Sequence, residues 1–261
     1  MKTNKPAIFG SGALIGILGG LIGLGGAEFR LPLLIGLFGF ASLEAVILNK
    51  TMSLIVVTSA LPFRAGSIPF VTLLEYWPVI LNLLAGSLVG AWFGAGWAIR
   101  LKSETLYRVI AVLLVLIAIL LLFGHHPTNS HQPALSGSSL VLAGIAAGLV
   151  IGLVASLMGV AGGELLIPTL VLLFGIDIKL AGSLSLAISL PTMLTGFTRY
   201  SKDKSFAVLG KNRGFVLVMA VGSLFGAFIG GQLVGLITAE ALLPVLAAIL
   251  LISAIKVWWH G

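Results

Sequence analysis

Apolar residues in this chain run in stretches about as long as a bilayer is thick. A spanning helix needs roughly 20 apolar residues, and two stretches, 31–40 and 165–176, are too short to cross alone. Each short stretch follows a glycine cluster and a glutamate. The pattern predicts an all-α, polytopic membrane protein. The longer stretches lie at 7–24, 44–61, 71–99, 104–123, 140–160, 180–197, 214–237 and 240–259.

The composition excludes a soluble enzyme. Hydrophobic residues make up 59% of the 261 positions and charged residues 9%, whereas about 25% of the residues in soluble domains are charged. The net charge of +7 lies in short loops between apolar stretches, which is typical of orientation in a membrane rather than of nucleic-acid binding. We therefore predict a multi-pass protein of the inner (plasma) membrane, surrounded by the lipid bilayer and with no nucleic-acid partner.

Part of the chain recurs 136 positions later. Residues 23–40 align with 159–176 without a gap, and eight of the 18 positions are identical. The same offset pairs the glycine-rich segments 86–94 and 222–230. We therefore predict two homologous halves, each with about four spanning helices plus a short broken or re-entrant helical segment. The predicted boundaries are 1–124 for the first membrane repeat, 125–139 for an extramembrane linker and 140–261 for the second membrane repeat.

Basic residues occupy non-equivalent loops of the two halves. Arg100 and Lys102 follow one apolar stretch, whereas the equivalent loop at Thr238 has no basic residue. Conversely, five basic residues lie in 198–213, and the first-half counterpart of that loop has only Arg64. This alternation favours inverted repeats, with both termini inside and the linker outside. Parallel repeats are the alternative.

Two glycine–glutamate–proline elements, 25–32 and 162–168, interrupt apolar stretches at matching places. Glycine frees the backbone and proline removes a donor, so a helix is expected to break and restart there. The free N–H groups of the new helix start favour an anion, and matching breaks in two halves indicate a transporter's binding site. A packing kink is the alternative. The candidate binding residues are Gly25, Gly26, Glu28, Gly162, Gly163 and Glu164.

Two polar pairs add to this candidate anion site. Asn49 and Ser53 are four residues apart, as are Ser185 and Ser189, and the offset of 136 superimposes the pairs. Residues at this spacing share one helix face, where their donors can hydrogen-bond an oxyanion. The alternative is hydrogen bonding between helices.

The two glutamates differ in their neighbours. Arg30 favours an ion pair with Glu28 at a helix start, whereas Glu164 has no basic residue before Lys179. Acids inside a membrane are functional candidates, and Glu164 is therefore the predicted proton-coupling residue. A dipole-stabilised carboxylate at a helix start is the alternative for both.

The remaining basic residues and histidines predict no further site. For Lys50, Arg30 and Arg199 the favoured expectation is extension towards lipid headgroups, as is common for long basic side chains, and pairing with an anion is the alternative. Three histidines within 125–131 lie in a Pro/Ser-containing loop without carboxylates, which favours a solvated loop over a metal site. The chain has no cysteine and no phosphate-binding, zinc-protease or nucleophile-elbow motif, so no cofactor, metal or catalytic residue is predicted.

These elements resemble the sulfite exporter TauE/SafE family of membrane transporters. The resemblance rests on 25–32, 162–168 and the glycine-rich segments 86–94 and 222–230. It implies secondary transport of a small inorganic or organic anion, often a sulfur-containing one such as sulfite, a sulfonate or thiosulfate, rather than an enzyme. An anion channel, and a membrane-embedded enzyme or structural subunit, are the alternatives. The substrate, the direction of transport, the coupling ion and the oligomeric state, including a homo-oligomer, stay open.

The predicted topology is testable with a single cysteine, because the chain has none of its own. We expect Ser130→Cys to react with a membrane-impermeant thiol reagent added outside, since 125–139 is assigned to that side. Labelling only from the cytoplasmic side would contradict the assignment.

Overall fold

The computed structural model describes residues 4–22, 26–64, 70–123, 135–233 and 239–259, and every regular element in these ranges is helical. The first six helices are α1 (Lys5–Ile22), α2 (Ala27–Gly36), α3 (Ser42–Arg64), α4 (Phe70–Glu75), α5 (Trp77–Arg100) and α6 (Ser103–Phe123). The others are α7 (Gly137–Met158), α8 (Gly163–Phe174), α9 (Ile178–Tyr200), the 3₁₀ turn η1 (Lys204–Phe206), α10 (Ala207–Lys211), α11 (Arg213–Leu233) and α12 (Ala239–Trp258).

Several helices have the length and apolarity of membrane spans, which confirms the prediction of an all-helical membrane protein. Within the described ranges the spans are Ser42–Ser59, Trp77–Arg100, Gly137–Met158, Leu180–Tyr200 and Arg213–Gly230. The prediction of one continuous segment over 71–99 is wrong, because α4 and α5 are separate helices that meet at Tyr76. Pro78 lies in the first turn of α5, where its missing N–H needs no helical partner.

Both predicted helix breaks are confirmed. The helix α2 begins directly after Gly26, and α8 begins directly after Gly162. The φ angles of these glycines are 68° and 83°, in the left-handed region that other L-residues rarely adopt. Each glycine therefore lets the chain turn sharply into a short helix inside the bundle.

Close backbone contacts join α1 to α11. A Cβ added at Gly12 would meet the backbone of Met219, and one at Gly226 would meet the backbone of Ala13. The contacts advance together along both helices, so α1 and α11 run in the same direction. Small residues permit such an approach in membranes. The pairs of contacting residues are Phe9–Gly222, Gly12–Met219, Ala13–Gly226, Gly16–Ser223 and Ile17–Gly230.

A second pair of helices, α5 and α7, repeats this arrangement in the same direction. Each contact of this pair lies 136 positions from a contact of the α1–α11 pair, with first-half and second-half residues exchanged. The internal similarity of the sequence thus has a counterpart in the packing. The pairs are Ile145–Gly86, Gly148–Leu83, Leu149–Gly90, Gly152–Ser87 and Leu153–Gly94.

The packing of α1 predicts opposite effects for two nearby glycines. Gly12→Ala places a methyl group against the Met219 backbone, and we expect it to lower the free energy of unfolding by about 1–3 kcal/mol. Gly10→Ala in the same helix meets nothing within 4 Å and should be neutral or slightly stabilising. Thermal unfolding in detergent measures both, and equal effects of the two substitutions would contradict the packing.

Candidate functional site

Two acids and two bases are buried together with several hydroxyl groups in the described part of the chain. Glu28, Arg30, Lys50 and Glu164 are each at most 5% exposed. The expectation that Arg30 and Lys50 extend to lipid headgroups is therefore wrong. The reason is that α2 and α3 lie inside the bundle, so these side chains meet other helices before they reach the headgroup region.

Arg30 connects three helices. One guanidinium nitrogen donates to Asn49 Oδ1 at 3.4 Å and to Ser53 Oγ at 3.2 Å. The other terminal nitrogen donates to Ser223 Oγ on α11 at 3.5 Å. Asn49 and Ser53, the pair predicted on α3, therefore share one helix face, and that face is directed at the buried Arg30 guanidinium.

Asn49 bridges two helix ends. Its amide nitrogen donates to the carbonyl oxygen of Ala27 at 3.0 Å and to that of Met158 at 3.1 Å. Ala27 is the first residue of α2 and Met158 is the last residue of α7. One side chain thus holds a helix start of the first half beside a helix end of the second half.

Glu28 and Glu164 come together at this junction. Each is the second residue of its short helix, and their carboxyl groups are close enough to interact electrostatically. None of the four carboxyl oxygens has a hydrogen-bond partner among the residues described. Arg30 also acts electrostatically on Glu28, but its guanidinium donates to the amide and hydroxyl oxygens named above. Although their sequence neighbours differ, Glu28 and Glu164 lie at one junction.

The second-half pair has no cation. Ser185 Oγ donates to the carbonyl of Gly182 in its own helix at 2.9 Å, and Ser189 Oγ is buried without a partner in the described region. Leu166 and Leu186 occupy the second-half positions that correspond to Arg30 and Lys50 in the repeat. The candidate site is therefore electrostatically asymmetric.

The side chain of Lys50 reaches the last turn of α7. Its Nζ lies 3.5 Å from the carbonyl oxygen of Ala155 and 3.4 Å from Ser156 Oγ. A Cβ added at Gly196 would lie 3.0 Å from the same nitrogen, so the bare glycine makes room for the ammonium group. In the described structure no carboxylate pairs with Lys50.

Sequence reasoning missed three neighbours of this cluster. Ser156 contacts Lys50, Tyr200 donates its hydroxyl to the Ser156 carbonyl at 2.8 Å, and Ser223 accepts from Arg30. Only Ser223 carried a signal, because it aligns with Ser87 in the repeat. Ser87 hydrogen-bonds Thr192 at 2.8 Å instead.

Other predicted residues lie elsewhere. Gly25 and the histidines within 125–131 are outside the described residues. Gly163 is the first residue of α8, next to the glutamate pair. The guanidinium of Arg199 lies over the Trp92 ring at 5.0 Å, at the end of α9.

Comparison with known proteins places this architecture in a family. The family model for the sulfite exporter TauE/SafE matches residues 2–257. The chain belongs to the TauE/SafE family. This TauE/SafE protein is also 22% identical over 270 residues to the probable membrane transporter protein YunE of Bacillus subtilis (strain 168), with 96% of each chain covered. No solved structure matches it.

The family assignment and the apolar helices agree with the sequence predictions. The TauE/SafE protein is a multi-pass membrane protein of a transporter family. Neither comparison assigns a substrate or individual binding residues to this chain.

Equivalent serines in this TauE/SafE protein should respond differently to the same substitution. Ser53→Ala removes an acceptor from the buried guanidinium, and we expect a loss of about 1–3 kcal/mol of unfolding free energy. Ser189→Ala removes a hydroxyl without a described partner and should change stability by less than about 0.5 kcal/mol. Thermal unfolding of the two variants measures this difference. A larger loss of unfolding free energy for Ser189→Ala would contradict the hydrogen bonding described for Ser53.

Proposed function

We propose that this protein is a secondary transporter of small anions, sulfur-containing oxyanions among them, and not an enzyme. The binding site lies between the two halves, at the helix breaks. The observation that carries the proposal is the burial of two cationic side chains among hydroxyl and amide groups. The transporter family to which the chain belongs supports it.

The buried cations favour an anionic substrate. Burying a charge in an apolar interior is costly unless an opposite charge or several hydrogen bonds compensate for it. Lys50 has long contacts to a carbonyl and a hydroxyl oxygen, and a bound anion supplies the opposite charge that these contacts lack. Arg30 offers a planar set of donors that suits an oxyanion.

The proposed site is formed by the predicted residues together with Arg30. Asn49 and Ser53 contact the guanidinium from α3, and the glutamates at the α2 and α8 starts interact with each other. The proposed binding residues are Gly25, Gly26, Glu28, Asn49, Ser53, Gly162, Gly163, Glu164, Ser185 and Ser189, with Arg30 added.

The depth of this site suits a transporter. Ser53 lies about 16 Å along α3 and Ser223 about 15 Å along α11, at 1.5 Å per residue. Both therefore lie near the middle of a hydrocarbon layer that is about 30 Å thick. Transporter substrates bind near the midplane, at the interface between repeats.

We further propose that the halves are inverted repeats with the boundaries 1–124 and 140–261, joined by 125–139. The directions in which the helices run support the inverted arrangement. The helices α5 and α6 are joined by two residues, so two consecutive spans at this place cross the bilayer in opposite directions. Five residues separate α11 from α12, too few to return along a helix of that length, so this pair is antiparallel as well.

The directions of α6 and α12 connect the two halves. The end of α12 lies beside the start of α6, because Arg108 stacks on Trp258 at 5.9 Å. These two helices are therefore antiparallel, and α6 runs in the same direction as α11 and α1. Since α5 and α7 run the other way, α1 and its repeat equivalent α7 are opposed.

Transport and binding are tested with purified protein in liposomes. We expect sulfite, thiosulfate or methanesulfonate to raise the unfolding temperature and to be taken up, since a ligand of the folded state stabilises it. Arg30→Gln should weaken binding at least tenfold, about 1.4 kcal/mol, and Arg30→Lys should weaken it less. Arg100→Gln is the matched control, because Arg100 is exposed at the end of α5.

Two results would refute this function. The first is a parent protein that neither binds nor moves any of these anions. The second is an Arg30→Gln variant that folds and binds them as the parent does. Flux against a concentration gradient distinguishes a transporter from a channel.

A further inference from the structure

We infer that anions and protons move together through this protein, and that the proton is held between Glu28 and Glu164. The inference rests on the proposed anion transport and names its coupling ion. It assigns the role to a pair with one residue from each half, whereas the sequence alone favoured Glu164.

The geometry of the pair carries the inference. Each carboxyl group belongs to the second residue of a short helix that starts inside the bundle. The two groups interact with each other, and their four oxygens lack hydrogen-bond partners among the described residues. Two neighbouring buried carboxylates repel each other, and one proton relieves the repulsion and supplies an O–H···O hydrogen bond. A proton also needs no cavity, which suits a closely packed interior.

The positions of the other charged residues support Glu28 and Glu164 as the proton site. Arg30 and Glu164 are the charged groups that act on Glu28. The helices packed against α2 are α1, α3 and α12, and those packed against α8 are α7 and α9. Apart from Lys50, the described charges on these helices lie near helix ends. They are Lys5, Glu44, Arg64, Lys179, Arg199, Glu240 and Lys256.

Charge balance in the interior then couples the proton to the anion. We take Arg30 and Lys50, in their charged forms, to balance two ionised carboxylates before an anion binds, so that these four buried groups carry no net charge. An anion on the bases removes this balance inside an apolar medium, where a net charge is costly. Proton uptake by the carboxyl pair restores neutrality. One proton therefore accompanies a monoanion and two accompany a dianion, in the same direction.

The test uses liposomes with radiolabelled methanesulfonate and thiosulfate, both of which stay ionised in mildly acidic buffer. Acidifying the outside should drive accumulation of the anion by the parent protein. A pH-sensitive dye inside should report one proton for each methanesulfonate and two for each thiosulfate. Glu28→Gln and Glu164→Gln should each reduce acid-driven accumulation at least tenfold. Glu104→Gln is the matched control, an exposed glutamate in the first turn of α6.

The exchange measurement separates this inference from the proposed function. If the parent exchanges neither anion, anion transport itself is refuted. If it exchanges them but a pH gradient drives no accumulation, or if accumulation follows a Na⁺ gradient instead, the proton assignment is overturned. Accumulation by both glutamine variants at the parental level overturns it too. If a glutamine variant also loses anion exchange, the inference is tested by the dye signal of the parent protein. Anion accumulation by the parent without proton entry would then contradict it.

Discussion

A helix that ends inside a membrane leaves backbone groups with no water to bind. Every such group must find a partner within the protein, and the start of α2 and the end of α7 both lie in the interior. The Asn49 amide donates to a carbonyl at each of these ends. At the end of α7 this donation gives a partner to a carbonyl that has no N–H of its own helix to accept from, and at the start of α2 it ties the first turn to α3. The polar junction around Arg30 and the glutamate pair is built on this support.

The long helices hold that junction in place. Glycines on α1 and α5 bring these helices into backbone contact with α11 and α7 of the other half. Each half is therefore completed by helices of its counterpart, and neither has an independent core at this contact. Close packing of small residues replaces the hydrophobic effect, which contributes little between helices in lipid.

The sequence predicts the helices and breaks well because their causes are local. The length of an apolar stretch predicts a helix, and glycine followed by proline predicts a break, because both act through the backbone of nearby residues. The starts of α2 and α8 follow from these local patterns. Which side chains meet across the bundle is set by tertiary packing. The burial of Lys50, the contact of Arg30 with Ser223 and the adjacency of Glu28 and Glu164 join residues that are distant in the sequence. Hydropathy also does not locate the bend at Tyr76, since apolar residues lie on both sides of it.

The two leucines that stand where the first half has Arg30 and Lys50 have an energetic consequence. A carrier made of identical inverted halves has inward-facing and outward-facing forms of equal energy, because exchanging the halves turns one form into the other. With both cations in one half, this exchange no longer leaves the molecule unchanged. In a carrier organised as proposed, one facing state is therefore the resting state, and the affinities measured from the two sides of the membrane differ. A duplicated chain thereby gains a built-in polarity without any separate gate or sensor.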